Sequence, residues 1–299
     1  MTYNIFQWLM FFYIYCFIGW CFESAYVSIK KRRFVNRGFL RLPLLPIYGS
    51  GAIAILIVTV PIRGQYGLVF VFGMLSATCL ELVTGIIMEA LFKVRYWDYS
   101  NQKLNFKGYI CLSSSLAWGI LSVILTEVIH EPIERWVLNM PISFQLAMDA
   151  ILSVLFVSDF VISFTAAWNL GKLLEKLTKI RAQGEKVKQQ LEKKGEALGE
   201  RLDTAKETAA EKLVSVRTNA EVRLTEVRED MEGRLELVRA ELERLREEYR
   251  KTEIRGNRFF TRRLLRDNPG AVSMKFGEAL DGVKKRTLQK IKDHRKQEE

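Results

Sequence analysis

Histidine, cysteine and proline are scarce: two, four and six in 299 residues. His130 and His294 stand alone, and Cys16, Cys21, Cys79 and Cys111 lie inside apolar runs with no Cys-x-x-Cys pair. A zinc site needs about four such ligands converging at short spacing, so no metal is expected and the cysteines read as small apolar residues within helices. Two histidines also leave no Ser/His/Asp or Cys/His constellation, and no enzymatic activity is expected. No Gly-x-x-x-x-Gly-Lys-Ser/Thr run occurs. Lacking that phosphate-cradling loop, the chain has no motor of its own, and any nucleotide-driven step falls to a separate ATPase subunit. No cofactor is implied.

Charge is scarce as well, but only in the first half. Residues 1–170 carry 12 Lys/Arg and 9 Asp/Glu, whereas residues 171–299 carry 33 and 25, so the net charge of +11 averages two unlike halves. The first is too apolar for a soluble domain, and the second is too charged to bury a large core of its own. A single soluble globular fold is excluded. The expected fold is all-α: a five-helix transmembrane domain over 1–170, a long cytoplasmic helix over 171–250, and a basic tail with a short helix over 251–299.

The five apolar segments run over 5–29, 44–62, 66–92, 108–129 and 142–170. Crossing the hydrocarbon core takes about 20 apolar residues; four segments meet that, and the second, framed by Pro43, Pro46 and Pro61, is short. Residues 1–4 carry no basic side chain and the first run is too long for a signal core, so the first segment reads as a retained span. Lys30, Lys31, Arg32, Arg33, Arg37 and Arg41 fill the first loop and Lys93, Arg95, Lys103 and Lys107 the third, against Arg63 and Arg135 alone in the alternate loops. By the positive-inside rule this places the N-terminus outside and the C-terminal half in the cytoplasm.

Carboxylates inside the spans are the main functional clue. Glu81 sits near the middle of the third segment, Glu89 two turns further on, Glu23 near the inner end of the first, and Asp159 near the middle of the fifth, with Asp149 nearer the outside. A carboxylate at bilayer depth costs at least ~2.5 kcal/mol and usually faces protein, water or a substrate path. Three readings stay open: neutral or ion-paired locks between helices, a transport or proton-relay role, and an intramembrane catalytic role. Arg37 and Arg41 lie at the depth of Glu23 and Glu89 and are candidate partners. Pro46, Gly49 and Gly51 suggest an unwound start to the second span. In the loop Arg95-Tyr96-Trp97-Asp98-Tyr99-Ser100, Arg95 and Asp98 form a charged pair, and Trp97 and Tyr99 read first as interface anchors. Ser115 and Gly119, four apart, suit close helix packing.

These residues carry a resemblance. Gly19-Trp20-x-x-Glu23, Asn36-Arg37-Gly38-Phe39-Leu40, Pro43-x-x-Pro46-Ile47-Tyr48-Gly49-x-Gly51, Glu81-x-x-x-Gly85-x-x-x-Glu89, Trp97-Asp98-Tyr99-Ser100 and Asn105-x-x-Gly108 together resemble the bacterial putative ABC-transporter type IV family, also called CmpB-like, over about residues 5–170. Leu42 stands where that pattern has glycine. The resemblance implies a multi-pass permease-like protein of the bacterial plasma membrane. It identifies neither a substrate nor an established active site; the residues themselves make Glu23, Arg37, Glu81, Glu89 and Asp159 the candidate intramembrane polar cluster, with Arg41, Arg95, Trp97 and Asp98 as loop partners.

The charged half contains a repeat. From Lys206, four eleven-residue units begin on Lys206, Arg217, Arg228 and Arg239 and place Val216, Val227, Val238 and Tyr249 at their ends. Eleven residues in three turns make one apolar stripe on a nearly straight helix, and 171–249 would extend ~120 Å if unbroken. A self-associating coiled coil through 171–250, a helix lying on the membrane surface, and a solvated helix all remain open. The even mixture of Glu with Arg argues against nucleic acid. The last residues, with Arg255, Arg258, Arg262, Arg263 and Arg266 around apolar side chains and a final helix near 273–292, read as a basic tail that touches anionic lipid or stays solvated. A permease-like transporter component is the leading reading of the whole, and a membrane scaffold working through its cytoplasmic helix is the alternative.

Overall fold

The computed structural model describes residues 3–211, 233, 236–252 and 259–298. Helix α1, Ile5–Lys31, opens on a capping box in which Asn4 Oδ1 accepts from the Gln7 amide at 2.8 Å and Gln7 Oε1 from the Asn4 amide at 2.9 Å. Helix α2, Pro46–Thr59, starts on Pro46, whose missing N–H is no loss in a first turn, and runs on as a 3-10 turn over Val60–Ile62. Helix α3 is Tyr66–Phe92. A hairpin follows, β1 Asn105–Phe106 against β2 Ile110–Cys111, antiparallel with Phe106 opposite Ile110. Helix α4, Leu112–Leu138, contains a π turn at Leu125–Ile129, and helix α5 is Ile142–Glu211. Residues 236–252 form α6, Phe259–Asp267 α7 and Gly277–Glu298 α8.

Helices α1, α3, α4 and α5 are long and apolar enough to cross a membrane, and Pro46–Ile62 is a shorter apolar helix. Their outward faces carry Leu75, Ile86, Ile87, Val154 and Val157, all exposed. Such a surface is a liability in water and the matched one in lipid. The protein is an all-α polytopic membrane protein.

Small residues set how closely the helices approach. α1 packs on α2, α2 on α3 and α3 on α4. Gly49 lies against the backbone carbonyl of Phe12 and the Cys16 sulfur, Gly19 against Tyr48, Gly73 against Ser122, and Gly119 against Phe70. Without a hydrophobic force between helices in lipid, such backbone approach supplies the packing. The unwound start expected for the second span does not occur: α2 is regular from Pro46, and Gly49 serves contact with α1. Irregular backbone lies instead in residues 32–45, where the amides of Arg41 and Leu42 both donate to Asp159 Oδ2 at 2.7 Å.

The chain divides into two compact units, Met1–Lys172 with Asn257–Glu299, and Leu173–Gly256. In the first, the C-terminal segment is neither a solvated tail nor merely laid on lipid. Leu264, Leu265, Ala271, Phe276, Leu280 and Val283 are buried. Arg95 and Val272 exchange both backbone hydrogen bonds at 2.7 and 2.8 Å, and Ser273 Oγ donates to the Lys93 carbonyl at 2.5 Å. Ser273 also accepts from the Phe276 amide, so α8 begins after it.

In the second unit α5 continues without a break through Gly184, Gly195 and Gly199. An unbroken helix over 171–249 would hold Lys176 and Glu248 about 110 Å apart. They form an ion pair at 3.5 Å, so α6 lies beside α5. The described parts of this region thus lie side by side, with Val187 and Val238 buried. Most of the eleven-residue repeat, from the units beginning at Lys206, Arg217 and Arg228, lies outside the described residues.

Candidate functional site

The loop between α1 and α2 folds back onto the end of α1. Gly38 at φ 138° turns the chain where a side chain is disfavoured, and the Arg37 amide donates to Ser24 Oγ at 3.1 Å. This brings the Arg37 guanidinium to Glu23, with Nε 3.4 Å from Oε1. Tyr48 of α2 donates to the other Glu23 oxygen at 3.1 Å. The remaining Arg37 donors go to the Tyr96 carbonyl at 3.3 Å and Asn268 Oδ1 at 2.9 Å. Asn268 is buried and also donates to the Gly38 carbonyl at 3.0 Å. One arginine thus joins α1, both loops at this end, and the C-terminal segment.

A second pair sits at the end of α3. Lys93 at φ 61° ends the helix and turns Arg95 back on Glu89, where Nε donates to Oε2 at 2.5 Å. Tyr109 donates to the same oxygen at 2.5 Å, and its ring lies 4.3 Å beneath the Arg95 guanidinium. Burial works against the Arg95 charge, but the Glu89 carboxylate and Tyr109 outweigh it and hold the guanidinium above its ordinary range. Glu89 in turn, through that hydrogen bond first and burial second, raises the Tyr109 hydroxyl. Glu23 is matched to Arg37 and Glu89 to Arg95. Arg41 contributes backbone groups: its amide donates to Asp159, which is buried, and its carbonyl accepts from Arg263 at 2.8 Å.

Glu81 is different in kind. It is 6% exposed inside α3, and its oxygens accept from the Tyr99 hydroxyl at 3.0 Å, Ser114 Oγ at 3.2 Å and Trp118 Nε1 at 3.1 Å. All three donors are neutral. The hairpin loop that follows α3 reaches this depth because Gly108 takes φ 75° and Gly85 leaves room for Trp97 and Tyr109. Trp97 and Tyr99 are half-buried with protein partners for their polar edges: Trp97 Nε1 donates to the Tyr109 carbonyl at 2.9 Å and Tyr99 to Glu81. Asp98 builds the turn, accepting from the Ser100 amide at 2.9 Å and from its hydroxyl. It does not pair with Arg95 there, whose guanidinium is taken by Glu89 and the Lys107 carbonyl.

Reasoning from sequence missed two elements. Asn268 had no signal, since its partner is 231 residues away. At the opposite end of the bundle, fully buried His130 takes the Tyr3 hydroxyl at Nε2, 3.1 Å, and the Tyr15 hydroxyl at Nδ1, 2.7 Å. Tyr3 donates to Glu134 as well, which Arg63 Nη1 meets at 2.8 Å. The one available signal was an ionisable residue at the end of an apolar run; the π turn just before it, of a kind frequent at functional sites, shows only in the fold.

Among the described residues no His/Cys/Asp/Glu group fits a metal ion. A shallow pocket lies between Gly38, Arg41, Ser163, Arg263, Leu264 and Asp267. The arrangement holds buried carboxylates in defined hydrogen bonds under two loops and a C-terminal segment, which suits controlled exchange of a proton or an ion pair. A family model described as putative ABC-transporter type IV matches residues 10–164, a span that contains Glu23, Arg37, Glu81, Glu89 and Asp159 and excludes Asn268. No curated protein and no solved structure matches the chain.

Proposed function

The chain belongs to the putative ABC-transporter type IV family, and on that premise we propose that it is the permease-like component of a transporter in the bacterial plasma membrane. On this reading five helices cross the bilayer, Pro46–Ile62 included, with the N-terminus outside and the C-terminal half in the cytoplasm. The alternation of basic and basic-poor loops supports that orientation.

The observation that carries the proposal is Glu81. An ionisable group inside a span, held by Tyr99, Ser114 and Trp118 with no Lys or Arg paired to it among the described residues, suits a position that meets substrate or exchanges a proton better than an ion-pair lock. Glu23–Arg37 and Glu89–Arg95 flank it as charge pairs that open or close the inner end. The reading involves no catalysis and no cofactor. Energy enters through a separate ATPase subunit, because the chain has no phosphate-cradling loop of its own.

Purification of the intact chain in mild detergent tests this directly, with recovery of a nucleotide-binding subunit and ATP-dependent flux in vesicles as the expected result. Glu81→Gln should abolish that flux with insertion and abundance unchanged. Reproducible purification without such a subunit and without ATP-dependent flux would sink the proposal. So would an E81Q protein that loses its fold together with its activity, because Glu81 would then be a helix lock.

A second reading, a membrane scaffold, is favoured by the pairing of α5 with α6. There the spans anchor the chain in lipid, and the 171–250 region binds partners or a second copy, without nucleic acid. Replacing 173–256 by a flexible linker separates the readings while keeping α7 and α8 in place. A transporter keeps part of its flux, and a scaffold loses its partners.

A further inference from the structure

Among the described residues, each buried carboxylate of the first unit has donors, with one exception. Glu81, Glu134, Asp159 and Asp267 all accept hydrogen bonds. Asp149, two turns into α5 and 3% exposed, has both oxygens enclosed and neither one bonded. One turn before it, Gln145 is 2% exposed and its Nε2 is equally unbonded. Residues four apart share a helix face, so an unused acceptor pair and an unused amide donor lie side by side along α5.

We propose that Asp149 and Gln145 form a reversible proton-binding site in the membrane half of the protein. An isolated ionised carboxylate in a low-dielectric interior is too costly to persist, whereas the acid form is tolerated. The resting geometry, with no donor turned toward the carboxyl, leaves the charged form unsupported. On release of the proton, Gln145 Nε2 is the donor within reach to stabilise the carboxylate by a change of rotamer. The site thus has two arrangements, one for each protonation state.

The surroundings favour a proton over a metal cation. The titratable group set against Asp149 from α1 is Tyr13, whose hydroxyl shares a 2.8 Å hydrogen bond with Ser153 Oγ. No Lys or Arg is paired with Asp149 among the described residues. A hard cation needs about six oxygen ligands, and the carboxylate with the Tyr13 and Ser153 hydroxyls supplies fewer, beside the donor end of an amide. The site lies apart from Glu81 and its partners and does not depend on the transport reading. In a membrane component it would link proton uptake to the packing of α5 on α1.

The test uses the full chain in phosphatidylcholine vesicles. Dicyclohexylcarbodiimide modifies protonated carboxyls in apolar surroundings, and peptide mapping reads the modified residue. Asp149 should be labelled at neutral pH, with labelling falling about tenfold per pH unit once the site begins to empty. In Gln145→Leu that fall should move to higher pH, because the released state loses its donor. An infrared comparison of wild type with Asp149→Asn needs no reagent access and should show an acid carbonyl band that disappears as pH rises. A carboxylate band at every pH, an acid band that persists until the protein unfolds, or a Gln145→Leu curve superimposed on wild type would each overturn the proposal.

Discussion

Arg37 and Asn268 lie 231 positions apart and share a 2.9 Å hydrogen bond. The bond links the part of the chain matched by the family model to a segment beyond it. Asn268 donates at the same time to the Gly38 and Leu264 carbonyls, each at 3.0 Å, so it fastens α7 to the loop that holds the Glu23–Arg37 pair. Asn268→Ala leaves a half-buried guanidinium nitrogen and a loop carbonyl without their partner. A loss of this kind costs about 1–3 kcal/mol, and it should fall on the docking of the C-terminal segment and leave the spans intact. Amide exchange of residues 261–289 should accelerate roughly 5- to 150-fold, with exchange in α1 and α3 unchanged. Unchanged protection in 261–289 would show that its buried apolar residues alone hold the segment.

Tyr99 makes the loop after α3 sensitive to alkali. Burial, and then the Glu81 carboxyl beside it, raise its hydroxyl above the ordinary tyrosine value of 10. The folded protein therefore keeps this proton at a pH where the unfolded chain has lost it. The stabilisation is complete below about pH 10 and declines as pH rises toward the folded value, because stability falls wherever the folded state binds more protons. Tyr99→Phe removes both the donor to Glu81 and this titration. At neutral pH it should be less stable than wild type by about 1 kcal/mol, and the gap should narrow above pH 10. Denaturant titrations of both proteins at pH 8 and pH 11 decide the point; a gap that stays constant means that Tyr99 does not titrate late.

How much could be read in advance depended on how local each cause was. The apolar runs gave the helices because the length of a span is a local property. Arg37 reached Glu23 because the loop is short and enters at the depth of the α1 end. The pairing of Arg95 with Glu89 was hidden by one left-handed residue, Lys93, which reverses the chain within six positions. Trp97 and Tyr99 were ambiguous because an aromatic ring with a polar edge suits a headgroup layer as well as a buried carboxylate. The pairing of α5 with α6 was illegible because an eleven-residue stripe is the same whatever apolar surface it packs against. Contacts such as Arg37–Asn268 and Tyr15–His130 leave no periodic trace, and only the folded chain brings their residues together.

The glycines separate close approach from mere tolerance. A methyl group added at Gly49 would stand 2.7 Å from the Phe12 carbonyl oxygen, and one at Gly171 2.8 Å from the Phe92 carbonyl oxygen. Both obstacles are backbone, so neither can rotate away, and the helices must separate. Nothing stands within 4 Å of the corresponding position at Gly67 or Gly184. Overpacking of this kind costs roughly 1–3 kcal/mol, whereas alanine in place of glycine within an open helix gains up to about 1 kcal/mol. Gly49→Ala and Gly171→Ala should therefore lower the thermal midpoint in detergent, and Gly67→Ala and Gly184→Ala should leave it unchanged or raise it. The contrast within the set is the informative quantity, because all four substitutions add the same methyl group. Equal effects at Gly49 and Gly67 would mean that α1 and α2 can move apart without loss, and that the contact through Gly49 does not set the position of Tyr48 beside Glu23.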